Sequence, residues 1–162
     1  MKVNGLKKDF APVAQDASRI IIGYGLAKTN GDLYEWHEVY LNKKQHPSIS
    51  FEDIRKAVID DIDERTTESI VSGMVWNGKP VWLSLENQQN IVFAAMRGEP
   101  VTTKIGEDEN GQPVYHEFKE KEELTSFCNA CQDHINACRE RGWREKAAID
   151  WSLYGKKDEE GA

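Results

Sequence analysis

The side chains of this sequence that could do metal or redox chemistry are concentrated in one segment. It contains Cys128-x-x-Cys131-x-x-His134-x-x-x-Cys138, and thiolates with an imidazole are ligands that zinc prefers. The surrounding pattern is helical, however, and a helix rising about 1.5 Å per residue would separate Cys128 from Cys138 by about 15 Å. Because the ligands of one ion must converge, the spacing predicts no metal site and no cofactor. We expect the cysteines to fill the buried face of a helix.

The pair Cys128-x-x-Cys131 could also be a redox motif. A thioredoxin-type pair lies at a strand-to-helix junction, whereas this pair lies within a helical pattern. The chain has three cysteines, an odd number, and all of them fall in this segment. The sequence therefore predicts reduced thiols and no disulfide.

The histidines of the sequence do not belong to a nucleophile motif. The sequence has no Gly-x-Ser-x-Gly, no phosphate-binding loop and no Gly-x-Gly-x-x-Gly. Carboxylates are too abundant in so acidic a chain to mark a site. We therefore expect no catalytic residues and no enzymatic activity. The histidines are His37, His46, His116 and His134.

A run of amide side chains at 87–90 follows Ser84, which is a typical residue to begin a helix. Such polarity is common at a helix start. Amides also both donate and accept hydrogen bonds, so one or two of them could bind the backbone of a neighbouring hairpin. We expect this structural role. The predicted structural motif consists of Trp76, Asn77, Gly78, Trp82, Ser84, Asn87 and Gln88.

The dipeptide Asn77-Gly78 lies between two apolar, β-prone runs. This is a strong hairpin signal, because a type I′ turn needs positive φ at both central residues. A two-residue loop would place Trp76 opposite Lys79 and Met74 opposite Val81. Pro80 cannot donate a backbone hydrogen bond, so its strand should lie at an edge or have a non-bonded position there.

The same plan of strand, turn, strand and helix occurs around Asn30-Gly31 and Asn110-Gly111. A helical pattern follows each turn, beginning near Ser50 in the first case, and the longest helix is expected over 120–141. The predicted fold class is therefore α+β, with antiparallel β-hairpins alternating with helices and a long C-terminal helix.

The length of 162 residues predicts one main domain. We expect a single α+β domain over 19–154, with the hairpin of 19–48 as a candidate separate lobe. Residues 1–18 are expected to form a flexible or partner-docking arm, and 155–162 a disordered tail. Trp143, Ile149, Trp151 and Tyr154 should dock the end of the chain on the domain.

The strand at 34–40 places large aromatic side chains on one face and apolar residues on the other, which suits a strand that contacts a partner. It also suits an ordinary aromatic-rich sheet. Likewise, the apolar residues of 1–18 could order on a partner, pack on their own sheet or remain loose. We expect the first alternative in both cases. The predicted partner-binding residues are Leu6, Phe10, Tyr34, Trp36 and Tyr40.

The net charge of −7 argues against nucleic acid as a partner, because phosphates require a basic surface. No apolar run approaches the length of about 20 residues that spans a membrane. Neither nucleic acid nor a membrane is therefore an expected partner.

Four segments carry a resemblance to known proteins: Tyr-Glu-Trp-His-Glu-Val-Tyr at 34–40, Trp-Asn-Gly-Lys-Pro-Val-Trp-Leu-Ser-Leu-Glu-Asn-Gln at 76–88, Pro-Val-Tyr-His-Glu-Phe at 113–118 and Gly-Trp-Arg-Glu-Lys-Ala-Ala-Ile-Asp-Trp at 142–151. With them, residues 19–154 resemble a family of small, uncharacterised proteins from phages and prophages of gut bacteria. The most specific part is Val-Trp-Leu-Ser-x-Glu-Asn-Gln at 81–88. The order of hairpin, Gln-containing helix, hairpin and long helix is also distantly similar to C-terminal domains of phage tail-fibre assembly proteins.

The resemblance implies a non-enzymatic virion component or assembly factor that contacts phage tail or tail-fibre proteins, with a homo-oligomer as a further expectation. Its location would be the cytoplasm of the bacterial host during assembly, or the virion. An alternative of another class is an acidic decoy or inhibitor that binds a basic host protein, for which the charge of −7 is the support. Salt would weaken the complex of a decoy more steeply than an apolar interface.

Overall fold

The computed structural model describes residues 1–98 and 100–155, and it has the predicted α+β fold. Each of the three expected hairpins is followed by a helix, and the last helix is the longest. The strands are β1 (Lys2–Leu6), β2 (Val13–Gln15), β3 (Arg19–Lys28), β4 (Leu33–Asn42), β5 (Met74–Trp76), β6 (Lys79–Val81), β7 (Val101–Glu107) and β8 (Pro113–Phe118), and the helices are α1 (Phe51–Ser72), α2 (Leu85–Arg97) and α3 (Lys121–Ala147).

The chain divides into two compact units, where a single domain over 19–154 was expected. Unit 1 contains Met1–Asp63 and the segment from Trp143 onward, and unit 2 is Glu64–Gly142. The hairpin of 19–48 is part of unit 1 and not a lobe of its own. Both boundaries fall within a helix, which explains why no linker composition marks them in the sequence. The expected tail lies, after Gly155, outside the described residues.

Unit 1 contains a four-stranded antiparallel sheet in the order β1-β4-β3-β2. Residues 1–18 supply both edge strands, so the expectation of a flexible arm is wrong, whereas partner docking by this segment stays a prediction. Leu6 pairs with Leu33 on β4, and Val13 pairs with Ile22 on β3. The β3-β4 hairpin alone would leave the backbone donors and acceptors of its two outer edges unpaired. Pairing with β1 and β2 satisfies them.

Helix α1 covers one face of this sheet and begins as predicted. The backbone N–H of Asp53 donates to Ser50 Oγ over 3.1 Å, and the backbone N–H of Ser50 donates to the Asp53 carboxylate over 2.9 Å. The Ser50 hydroxyl also donates to this carboxylate over 2.7 Å, and the two bonds that the carboxylate accepts from Ser50 lower the pKa of Asp53. The core combines strand and helix side chains with one residue near the C-terminus: Ile20, Ile22, Tyr24, Ile54, Val58, Ile62 and Tyr154.

Unit 2 contains the two-stranded sheets β5-β6 and β7-β8. The predicted turn at Asn77-Gly78 is confirmed, with φ of 49° at Asn77 and 73° at Gly78. The predicted register is also confirmed, since Trp76 pairs with Lys79 and Met74 with Val81. Pro80 pairs with Val75, next to the bonded pair that flanks the turn, so it occupies a non-bonded position.

The turns at Asn30-Gly31 and Asn110-Gly111 differ from the turn at Asn77-Gly78. Gly31 and Gly111 have positive φ, but neither Asn30 nor Asn110 does. Four residues separate β3 from β4 and five separate β7 from β8. The shared plan is therefore a shared order of elements and not a shared turn geometry.

Helix α3 buries the face that contains its cysteines, as expected. Cys128 is half-buried, and the other large or thiol side chains of this face are buried: Leu124, Phe127, Cys131, Ile135 and Cys138. Trp143 was expected to dock but is 63% exposed. It follows the buried Gly142, and successive residues of a helix point about 100° apart, so the ring is directed to solvent. Tyr154 is buried as expected, and Ile149 and Trp151 are half-buried.

No helix within residues 1–98 and 100–155 is long and apolar enough to cross a bilayer.

Candidate functional site

The predicted partner-binding residues of unit 1 are largely occupied within the unit. Trp36 is only 3% exposed, and Phe10 packs on it edge-to-face with ring centroids 6.0 Å apart. The segment between β1 and β2 thus covers the sheet face that was expected to meet a partner. Trp36 is therefore a buried residue of unit 1, and its assignment to a partner contact is corrected.

The polar ends of the same face are also bonded internally. Trp36 Nε1 donates to Glu38 over 3.0 Å, and Tyr40 Oη donates to Glu38 over 2.8 Å, which raises the pKa of Tyr40. The Arg19 guanidinium lies 4.8 Å from the centre of the Tyr40 ring. Tyr34 is half-buried on this face. Leu6 pairs with Leu33 of β4. Because side chains alternate along β4, Leu33 and therefore Leu6 lie on the face of the sheet opposite Trp36.

The predicted structural motif connects β6 to α2. Ser84 begins the helix, with its Oγ accepting from the backbone N–H of Asn87 over 3.2 Å. Asn87 Nδ2 donates to the Trp82 carbonyl over 2.9 Å, and Gln88 Nε2 donates to the Leu83 carbonyl over 2.6 Å. These amide bonds to the backbone fix the rotation of α2 about its axis. Gly98, with φ of 68°, ends the helix.

With α2 held in this rotation, Ile91 and Ala94 are buried and the opposite side of the helix is exposed. Val92 follows Ile91 directly, so its side chain points about 100° away from that of Ile91. The large apolar residues of the exposed side are Leu85 at 78%, Val92 at 55%, Phe93 at 62% and Met96 at 76% exposure. With Gln89, they make up what we call the outer face of α2.

The outer face of α2 has the chemistry of a protein-binding surface. A shallow groove of about 230 Å³ lies along it, lined by Leu85, Gln88, Gln89, Val92 and Phe93. Full burial of one such apolar side chain is worth about 1.5–3 kcal/mol. Contiguous apolar residues at the surface are typical of interaction sites. The signal was present in the sequence, because α2 carries more large apolar residues than one buried face can accommodate.

One polar cluster in unit 2 brings together residue types used in catalysis. Lys79 Nζ lies 3.2 Å from His116 Nδ1, and His116 Nε2 lies 2.9 Å from Glu123 Oε1. These partners place the imidazole proton on Nε2, so that Nδ1 accepts from the ammonium group. The ring packs edge-on against Trp76, with centroids 5.0 Å apart. The cluster ties β6, β8 and α3 together, which is a structural role.

His134 and Cys138 lie one turn apart on α3. At this spacing an imidazole could act as the base that activates a thiol. His134 Nε2, however, lies 2.9 Å from the Ser69 carbonyl oxygen, which can only accept. Nε2 therefore carries a proton and cannot receive one from Cys138, whose Sγ is 3.6 Å away and accepts from Arg141 over 3.1 Å. The bond to Ser69 therefore argues against His134 acting as the base for Cys138.

Burial sets the chemistry of the other two thiols. It raises the pKa of Cys128, and it raises the pKa of Cys131 to about 12. Both groups are thus held in the thiol form, which neither attacks nor binds metal readily. Within the described ranges, His, Cys, Asp and Glu side chains do not form a cluster that could hold a metal ion.

The fold and the surface together define an α+β protein of two units with an apolar helix face. A family model described as a domain of unknown function, DUF4376, matches residues 53–160, more than half of the chain. The chain therefore belongs to the DUF4376 family. No curated protein and no solved structure matches it. The matched segment includes α2 and both hairpins of unit 2, whereas β1 to β4 precede it.

Proposed function

We propose that the protein is a non-enzymatic docking protein that binds other proteins through the outer face of α2. The observation that carries the proposal is the exposure of four large apolar side chains on one side of one helix. Leaving them in water is unfavourable, and a partner surface that covers them would recover that free energy. The face lies in the part of the chain that matches the family model.

The cellular context of the proposal comes from the resemblance to phage and prophage proteins. On the basis of this resemblance, we propose phage tail or tail-fibre proteins as the partners, and the host cytoplasm during assembly or the virion as the location. A surface that binds through apolar contacts suits an assembly in which many identical contacts form. The partner surface is then expected to be apolar and not basic.

The test uses two variants of α2 that add one negative charge each. Val92→Asp puts the charge in the outer face, and Asn90→Asp puts it on the same helix at an exposed position outside that face. Each variant is co-produced with the tail and tail-fibre proteins of the phage or prophage that encodes the chain. We expect Val92→Asp to abolish pairwise co-purification and Asn90→Asp to retain it, with unchanged circular dichroism for both.

The proposal has two parts, and they can fail separately. Retention of binding by Val92→Asp would exclude the outer face as the contact. If the wild-type protein binds none of the tail proteins and mass spectrometry does not find it in purified particles, the phage assignment fails.

The net charge of −7 supports a second candidate, a decoy that binds a basic host protein. The two functions predict different salt dependence of the complex. Raising the salt concentration from 50 mM to 500 mM, on the order of a threefold decrease in Debye length, should weaken a decoy complex steeply. A complex held by the outer face of α2 should change little.

A further inference from the structure

The outer face of α2 has the residue spacing of a helix–helix seam. Leu85, Gln89, Val92 and Met96 follow one another at intervals of four, three and four residues. This alternation is the one that keeps side chains in line along two paired helices. Phe93 flanks the seam. The occupant that fits such a stripe is therefore another helix with a similar stripe.

The seam is complementary to itself when two copies run antiparallel. In that arrangement Leu85 at one end meets Met96 of the second copy at the other. Gln89 lies near the centre, beside Gln89 and Val92 of the second copy. Because an amide both donates and accepts, two Gln89 side chains can bond to each other across the pair.

The charges at the two ends of α2 also select the antiparallel arrangement. Glu86 is in the first turn and Arg97 in the last, and both are exposed. They are eleven residues apart, which at 100° per residue puts them on nearly the same side of the helix. An antiparallel pair brings Glu86 of each copy beside Arg97 of the other, whereas a parallel pair would bring like charges together. Antiparallel helix dipoles also attract.

We propose that the outer face of α2 binds a second copy of this chain, through an antiparallel pairing of α2 with α2. This inference rests on the proposed function, because it names the partner of the same surface. A single short helix buries little area, and interfaces below about 1,200 Å² are typically weak. The dimer is therefore concentration-dependent, so it forms where copies are brought close together in an assembly.

The test is charge reversal measured by sedimentation equilibrium over a range of protein concentrations. Glu86→Arg alone and Arg97→Glu alone each replace two attractive pairs with two repulsive ones, and each should weaken the dimer by about fivefold or more. The double variant, Glu86→Arg with Arg97→Glu, restores both pairs with reversed sign. We expect it to dimerise within about threefold of the wild type, since the pairings are the same.

Mixing the two single variants gives a second measurement that does not depend on the fold of the double variant. In the mixture each Arg at position 86 meets a Glu at 97, and each wild-type Glu86 meets a wild-type Arg97. The mixed dimer should form more strongly than either single variant alone. Asn90→Asp is the control for added charge, and thermal melts of all variants check that α2 is intact.

The outcomes separate this inference from the proposed function. A wild-type chain that stays monomeric at every concentration overturns the self-pairing, as does a dimer that the single reversals leave unchanged or that the double variant does not restore. In any of these cases, loss of tail-protein binding by Val92→Asp would still support the outer face as a docking surface.

Discussion

The side-chain amide of Gln88 donates a hydrogen bond of 2.6 Å to the backbone carbonyl of Leu83, the buried residue between β6 and α2. Removing the amide leaves a carbonyl in the interior without this donor, which typically costs about 1–3 kcal/mol. We expect Gln88→Ala to lower the free energy of unfolding by this amount in chemical denaturation. Gln89→Ala, which changes the exposed neighbour, should lie within about 0.5 kcal/mol of the wild type.

Gly106 on β7 permits close approach of the β5-β6 hairpin. A Cβ atom at this position would lie 2.3 Å from the Pro80 carbonyl oxygen, so the backbones would have to separate. We expect Gly106→Ala to destabilise unit 2 by about 2 kcal/mol or more in thermal melts, in the range of other overpacking changes.

Gly111 is the matched control for this substitution. It has φ of 73°, and a Cβ atom there meets nothing within 4 Å. Gly111→Ala should therefore cost only the backbone strain of about 1 kcal/mol. Equal losses from the two substitutions would show that the close approach to Pro80 contributes nothing.

Local chemistry explains most of what the sequence predicted correctly. The turn at Asn77-Gly78 and the helix starts at Ser50 and Ser84 depend on residues only a few positions apart, so their signals lie within short segments. The buried face of α3 was also predictable, because the same apolar spacing continues for several turns. The bonds of Asn87 and Gln88 followed from the need of amides for partners near a helix start.

The failures concern contacts between segments distant in sequence. Nothing local shows that Val13 will pair with Ile22, or that Phe10 will cover Trp36, so 1–18 resembled an arm. Helix α1 continues to Ser72 through Thr66 and Thr67, although β-branched residues weakly disfavour helix, so the end of this helix is not marked locally. The outer face of α2 was missed because an apolar residue on a helix is normally assigned to the core.

Trp36 and Trp143 provide a direct test of the corrected assignment of the aromatic residues. Trp36 is 3% exposed and Trp143 is 63% exposed. Trp36→Ala leaves a large cavity beneath Phe10, and we expect it to reduce the free energy of unfolding by about 3–5 kcal/mol. Trp143→Ala should lie within about 0.5 kcal/mol of the wild type. A Trp36→Ala variant of wild-type stability would return Trp36 to the candidates for partner contact.

The ionisation of Asp16 should make the stability of unit 1 depend on pH in the acidic range. Its carboxylate accepts from the backbone N–H groups of Ser18 and Arg19 over 2.8 and 2.7 Å, and these bonds, with the Arg19 guanidinium, hold its pKa well below the usual value. A lowered pKa in the folded state stabilises the fold above the unfolded pKa of about 4, and this contribution declines as the pH falls further. Asp16→Asn should therefore lower the melting temperature at pH 7. The difference from the wild type should shrink as the pH falls below about 4.

Tyr154 gives the corresponding dependence at alkaline pH. Its hydroxyl donates to the Gly23 carbonyl over 2.6 Å, and burial raises its pKa to about 12. A pKa raised above the unfolded value of about 10 means that the neutral form stabilises the fold below pH 10, and that this contribution is lost as the pH rises towards 12. Tyr154→Phe removes the ionisable group and leaves the Gly23 carbonyl without this donor. We expect it to cost about 1–2 kcal/mol at pH 7 and to reduce the loss of stability between pH 10 and 12, measured by denaturation at each pH. A variant that loses stability over this range as steeply as the wild type would mean that Tyr154 does not ionise on unfolding in this range.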